Sequence, residues 1–311
     1  LGQLVDAGSP GPSPTRSGFV AFAGRPNVGK STLANAIVGA KVAIVSDKPQ
    51  TTRRAIRGVA NGPDWQLVLV DLPGVQRPRD ALTERMQQRV ESELSDADGC
   101  LLVVNAMQGL GPGDRFIAEL LRRPATGPAG LSVSIAVNKV DRADRAKLTA
   151  TLADAAALAL GGEIFPVSAR TGEGVQALTD HLVSLLPAGP RYFDSETRSD
   201  QAPSVLLAEL VREQVLARTR EEVPHAVEVE VSELVDGTNG VVRVTAFVLT
   251  ETESQKGILI GAQGRMIKSI GVAARKTIER ELGARVHLEL SVRVRRHWRT
   301  DEQVLDRLGI E

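Results

Sequence analysis

The chain has 311 residues, enough for about two domains. Apolar residues make up 42% and aromatics only 3%, so Leu, Val, Ile and Ala must do most of the packing. Lysine plus arginine (38) balances aspartate plus glutamate (38), so net charge points to no polyanionic partner, and one cysteine excludes an internal disulfide.

Residues 1–17 are rich in Gly, Pro and Ser and read as a flexible tail, without the basic start and apolar core of a secretion signal. No apolar run reaches the roughly 18 residues of a bilayer span, and the lone cysteine fits a reducing compartment, so a cytoplasmic protein is expected. From 18 to 190, apolar strands at 19–23, 65–70, 99–104, 133–137 and 164–167 alternate with helical patterns at 31–38, 80–96, 113–123, 143–159 and 174–186. This alternation predicts an α/β domain, a mainly parallel sheet with helices on both faces and ligands at the carboxyl ends of its strands. Cys100 falls inside one of these strands and reads as an inert core residue. The four histidines lack metal-ligand spacing.

Pro187–Pro190 ends the pattern, and the polar stretch 191–203 reads as an interdomain linker. The order then changes over 204–311. A helix (204–218) precedes a period-two strand (226–234) with Val227, Val229 and Val231 facing inward. A turn at 236–240, a strand at 241–250, two helical segments around Gly261–Gly264 and a last strand at 286–294 complete a smaller α+β domain.

Gly24-Arg25-Pro26-Asn27-Val28-Gly29-Lys30-Ser31, followed by Thr32, fits G-x-x-x-x-G-K-[ST] between a strand and a helix. Its glycines let backbone N–H groups turn toward phosphate oxygens at a helix N-terminus. Lys30 can reach the β and γ phosphates and the Ser31 hydroxyl can ligate Mg²⁺. The loop alone does not separate ATP from GTP. Asn138-Lys139-Val140-Asp141 follows a later strand. A carboxylate there accepts from N1–H and the 2-amino group of guanine, which adenine lacks, so Asp141 selects GTP and GDP. Asn138 can contact the other edge of the base and the Lys139 stem its face. Ser168-Ala169-Arg170 sits where a loop backs the guanine.

Asp71-Leu72-Pro73-Gly74 follows the strand at 65–70, with Asp71 expected near Mg²⁺ and the Gly74 N–H on the γ-phosphate. Between helix and strand, Gln50-Thr51-Thr52-Arg53-Arg54 should supply the switch threonine; Thr52 is preferred and Thr51 is the alternative. Lys30, Thr52 and Gly74 are thus the catalytic candidates, and Ser31, Thr52 and Asp71 the metal candidates. The residue after the switch glycine, where many GTPases carry a water-orienting glutamine, is Val75, with Gln76 one place later. Slow intrinsic hydrolysis is expected, and the likeness to GTPases that carry asparagine in this loop implies that Asn27 helps a K⁺ ion complete the site.

Ile260-Gly261-Ala262-Gln263-Gly264-Arg265, with Lys268 and Lys276 beyond, has the form of a KH core, whose G-x-x-G loop clamps about four nucleotides of RNA backbone. Ile258, Ile260, Ile267 and Ile270 are expected at the helix–sheet contact and one wall of the groove. Residues 255–299 hold eleven basic side chains against three acidic, an excess hidden by whole-chain neutrality. Trp298, beside Arg295, Arg296 and His297, could stack on a base or pack on the sheet.

With these residues in view, the chain from 18 to 309 resembles the Era family of bacterial GTPases: a GRPNVGKST loop, a PQTTR switch, NKVD, an SA(R)TG loop and a C-terminal KH domain. It departs at Leu72, where the family usually has threonine, and at Ala262-Gln263, which the family often fills with more polar or basic residues. The resemblance implies a switch acting on the 3′ end of 16S rRNA during small ribosomal subunit maturation, with peripheral membrane association in some descriptions of the family. The rival reading is a membrane-surface or cell-cycle signalling GTPase whose KH domain has another partner. Nothing in the sequence requires more than a monomer.

Overall fold

A computed structural model describes residues 15–48, 50–75, 80–122, 132–236 and 240–310. Gln76 and the turn residues 237–239 lie outside them. The first domain is a six-stranded sheet of β1 (Arg16–Ala23), β2 (Ile56–Asn61), β3 (Trp65–Asp71), β4 (Gly99–Asn105), β5 (Ser132–Asn138) and β6 (Gly161–Val167), in the order β2-β3-β1-β4-β5-β6. All neighbours are parallel except β2, which runs antiparallel to β3 at the edge.

Period-two alternation assigns each strand's side chains to two cores. Ala21, Ala23, Cys100, Leu102 and Val104 face one layer, and Val20, Phe22, Leu101 and Val103 face the other. The first layer is closed by α2 (Ala81–Asp96), α3 (Pro112–Leu121) and α4 (Arg145–Ala157). The second is closed by α1 (Lys30–Val38) and α5 (Val175–Leu185). Burial pushes the Cys100 thiol up to about 12, so it stays protonated in the core.

The second domain packs α6 (Pro203–Arg218) and α9 (Arg265–Leu282) on a three-stranded sheet of β7 (Glu228–Asp236), β8 (Val241–Thr250) and β9 (Arg285–Val294). β7 is antiparallel to β8, and β9 is parallel to it. The short helices α7 (Val223–Ala226), α8 (Glu253–Ile260) and α10 (Glu302–Arg307) complete it.

Several expectations need correction. β2 was not expected: Gly58 interrupts its apolar pattern, and a Cβ there would lie 2.9 Å from Val42 Cγ2. β1 begins at Arg16, so the first domain starts two residues before Gly18. The linker stretch 191–203 is docked on the first domain. Val59 N donates to Arg198 O (2.9 Å), Gly58 bridges Ser199, and Tyr192 N and Phe193 N both donate to Gln66 Oε1. Leu259, not Ile258, carries the inward face of α8: it is fully buried, whereas Ile258 is 50% exposed. Val227 and Val229 are buried as expected, while Val231 is only partly so.

Candidate nucleotide site and nucleic-acid interface

The phosphate loop bends where its glycines allow. Gly29 has φ +103°, and a Cβ there would lie 2.3 Å from Asn138 Nδ2. Gly74 approaches so closely that a Cβ would meet Pro26 Cγ at 2.8 Å. Lys30 Nζ is buried and donates to the loop's own carbonyls, Gly24 O (3.0 Å) and Arg25 O (3.3 Å), which holds it across the loop mouth. Burial lowers its pKa, and Asp71 opposes that.

Ser31, Thr52 and Asp71 converge from three segments. The Ser31 hydroxyl donates to Asp71 Oδ2 at 2.6 Å, Thr52 Oγ1 lies 3.4 Å from the same oxygen, and the two hydroxyls are 3.1 Å apart. Burial raises the Asp71 pKa; Lys30, Ser31 and Thr52 work against that. The other carboxylate oxygen, Oδ1, is buried without a hydrogen-bond partner. Two hydroxyls beside a desolvated carboxylate with a spare oxygen fit Mg²⁺, a hard cation that takes oxygen ligands. Thr51 does not join them: its hydroxyl donates to Lys48 O (2.7 Å).

Asp141 Oδ1 accepts from Ser168 Oγ at 2.7 Å, which orients the carboxylate. Asn138 acts as a staple. Its Nδ2 donates to Val28 O (3.0 Å) and its Oδ1 accepts from Lys139 N (2.8 Å) and Ala169 N (3.0 Å), joining the three loops and leaving one N–H. Lys139 Nζ reaches back to Asn27 O at 2.6 Å. Thr32, Lys139, Asp141, Ala169 and the exposed Arg170 line a cleft of about 410 Å³.

Some expected nucleotide contacts lie elsewhere. The Arg25 side chain turns to α3, where Nε pairs with the buried Asp114 at 2.8 Å. Val28 and Leu72 are buried in the two cores, so only their backbones belong to the site. Val75 is buried beside Leu72 and offers nothing to a water molecule. Asn27 Nδ2 donates to Asp47 O (2.7 Å), bracing the phosphate loop against the switch. Two contributions were missed. Ser46 and Asp47 line the cleft without any motif to mark them. Asn35 of α1 accepts from Val42 N and Ala43 N at 2.9 Å and so shapes the chain's exit from α1 toward the switch segment.

In the second domain, Gly261 (φ +69°), Gln263 (φ +54°) and Gly264 (φ +75°) form a left-handed loop between α8 and α9. A Cβ at Gly261 would lie 2.8 Å from Met266 Cβ. Ala262 and Gln263 are exposed at its tip, and Ile260 is half-buried behind it. Arg265, Lys268 and Lys276 are exposed on α9 and pair with no acidic side chain among the described residues. With Arg218 they line a basic hollow. Other members of the basic run are already committed: Arg295 pairs with Asp301 (2.9 Å) and Arg299 with Glu251 (2.8 Å). Trp298 is fully buried, donates Nε1–H to Ala226 O (2.9 Å) and lies under Arg53, so it packs and does not stack on a base.

A family model described as a 50S ribosome-binding GTPase matches residues 19–139, and one described as a KH domain matches residues 222–299. The GTPase Era of Mycobacterium tuberculosis is 45% identical over 296 residues, covering 94% of this chain and 98% of the relative. That of Mycolicibacterium smegmatis is 42% identical over 297 residues with the same coverage. A crystal structure of an Aquifex aeolicus Era variant bound to GDP and AlF₄⁻ superposes with a TM-score of 0.89 at 32% identity, covering 95% of this chain and 99% of that one. Era in complex with MgGDPNP and nucleotides 1506–1542 of 16S ribosomal RNA gives the same TM-score at 33% identity and the same coverage. With a GTPase model and a KH model matched in this order, and with this identity and coverage over nearly the whole chain, the chain belongs to the Era family of GTPases.

Proposed function

We propose that this protein is a GTP-hydrolysing, RNA-binding switch of small ribosomal subunit assembly, with the 3′ end of 16S rRNA as its target. One observation carries the reading: residues flanking both nucleotide-sensing motifs pack on the KH domain. Ile44, upstream of the switch segment Gln50–Arg54, is buried in the core formed by α6, α9 and the three-stranded sheet. Leu82 and Met86 of α2, the helix that follows Asp71–Gly74 in the chain, are buried with Leu249, Trp298 and Leu305. A change at the γ-phosphate is thereby coupled to the RNA-binding domain through the residues that flank these motifs.

In hydrolysis, Lys30 and the loop amides hold the phosphates, and Ser31, Thr52 and Asp71 hold Mg²⁺, which neutralises developing charge on the phosphate oxygens. Gly74 places its N–H toward the γ-phosphate and Asp141 selects guanine. No side chain at position 75 orients water, so the intrinsic rate is slow and a partner or ion raises it. Among the described residues no helix is long and apolar enough to cross a membrane.

The test is fluorescence anisotropy with a single-stranded copy of the 3′ end of small-subunit rRNA, in GDP and in a non-hydrolysable GTP analogue. Binding that favours the analogue, and is lost in Gly261→Asp/Gly264→Asp, is expected. Binding no tighter than to a scrambled RNA in both nucleotide states would refute the RNA target.

A further inference from the structure

The first switch runs past the nucleotide site and straight into a buried cluster of charges. Arg53 is fully buried; its guanidinium donates to Glu228 Oε2 (2.8 Å), Val227 O (2.6 Å) and His225 O (3.2 Å). Arg54 reaches Glu209 Oε1 (2.7 Å) and Leu308 O (2.9 Å). From the other side Arg212 of α6, also fully buried, is held by Glu209 (2.6 Å), lies 3.6 Å from Glu228 and donates to the Thr51 carbonyl. The backbone before Thr52 and the side chain after it are therefore both gripped by the KH domain. Thr52 itself has no such tie. Its hydroxyl is left facing Ser31 and Asp71, at 3.1 and 3.4 Å.

We propose that Arg212 and Arg53 are positioning residues for GTP hydrolysis, acting through Thr52: the KH domain holds the switch threonine at the metal. The proposal rests on the reading of Thr52 as a ligand that counts only in the triphosphate state. A threonine on a free loop must be ordered each time GTP binds, whereas one clamped on both sides is ordered beforehand, and the saved entropy appears as affinity and rate. The grip continues upstream, where Glu213, also on α6, accepts from Lys41 (2.5 Å) and Val45 N (3.0 Å). The consequence is a GTPase whose catalytic geometry is completed from its RNA-binding half, in the same chain.

The test is a double-mutant cycle in the full-length protein, Arg212→Gln against Thr52→Val. Read-outs are GDP affinity, GTP-analogue affinity and single-turnover hydrolysis, each with Mg²⁺. Arg212→Gln should weaken analogue binding and slow hydrolysis by about tenfold, the scale of one lost charge-assisted hydrogen bond. GDP affinity should stay within about twofold, Arg212→Lys should recover much of the loss, and the Thr52→Val background should show no further effect. Arg53→Gln cuts the grip from the nucleotide domain's side and should reproduce the pattern if the Arg212 variant folds poorly. A lower melting temperature with an unchanged analogue-to-GDP ratio would make both arginines purely structural and overturn the proposal. So would losses that add in full to those of Thr52→Val. If Thr52→Val alone leaves the analogue-to-GDP ratio unchanged, the failure lies in the assignment of Thr52, and the proposal falls with it.

Discussion

Replacing Glu228 by glutamine should destabilise the protein by about 3–5 kcal/mol, the usual cost of breaking a buried ion pair. Glu228 has no exposed surface, and its oxygens lie 2.8 Å from Arg53, 3.5 Å from Arg54 and 3.6 Å from Arg212. Burial alone would raise its pKa; Arg54, Arg212 and Arg53 outweigh burial and hold it down at about 2, against an ordinary 4.5. A depression of that size corresponds to about 3 kcal/mol, in line with the pair-breaking figure. The sign follows from the direction. A carboxylate depressed on folding contributes fully above pH 4.5, and that contribution is lost as pH falls toward 2. Urea unfolding followed by tryptophan fluorescence, at pH 7, 5, 4 and 3, is the assay, since Trp298 sits against Arg53. The gap between wild type and Glu228→Gln should be full at pH 7 and 5 and shrink at 4 and 3. A gap below about 1 kcal/mol at pH 7, or one that does not change between pH 5 and 3, would refute the reasoning.

Asp71→Asn should lower Mg²⁺-dependent nucleotide affinity by more than about tenfold while affecting binding in EDTA far less, as isothermal titration would read. Val75→Gln should not accelerate hydrolysis, because the side chain points into the core; it should instead cost about 1–3 kcal/mol in a denaturant titration, by burying an unpaired amide. Phosphate release should be several-fold faster in K⁺ than in Na⁺ if Asn27 helps to seat a monovalent cation, and equal rates would remove that role.

The nucleotide site was legible because its chemistry is local. A loop that must aim backbone N–H groups at phosphates needs glycine at positions such as 29, and a guanine reader needs a carboxylate at 141, whatever the rest of the chain does. The same holds for the left-handed loop at 261–264. What stayed hidden was non-local. Arg53 and Glu228 are 175 positions apart, and nothing near either one announces the other. Trp298 sits among basic residues, which left base stacking and packing equally open in the sequence; the carbonyl that decides for packing lies 72 positions away. β2 was missed for a different reason: Gly58, placed there to let α1 and Val42 come close, erased the alternation by which a strand is recognised. At Asn138 the sequence did not show that most of the amide is spent joining loops.

The segment joining the two domains has a mechanical meaning. Residues 192–199 lie along the outer edge of the sheet, with a main-chain bond from Val59 to Arg198 and a bridge from Gly58 to Ser199, much as an extra strand would. Gln201 is still tied, by its side-chain amide, to Val42 O at 3.1 Å, and α6 starts two residues later. The free length of tether between the domains is thus a residue or two around Ala202, about 7 Å of chain at full stretch. Such a joint permits the KH domain to swivel about one point but not to drift away. Larger excursions would have to peel the strap from β2 and bare a strand edge, whose unpaired N–H and C=O groups favour sticking to other molecules.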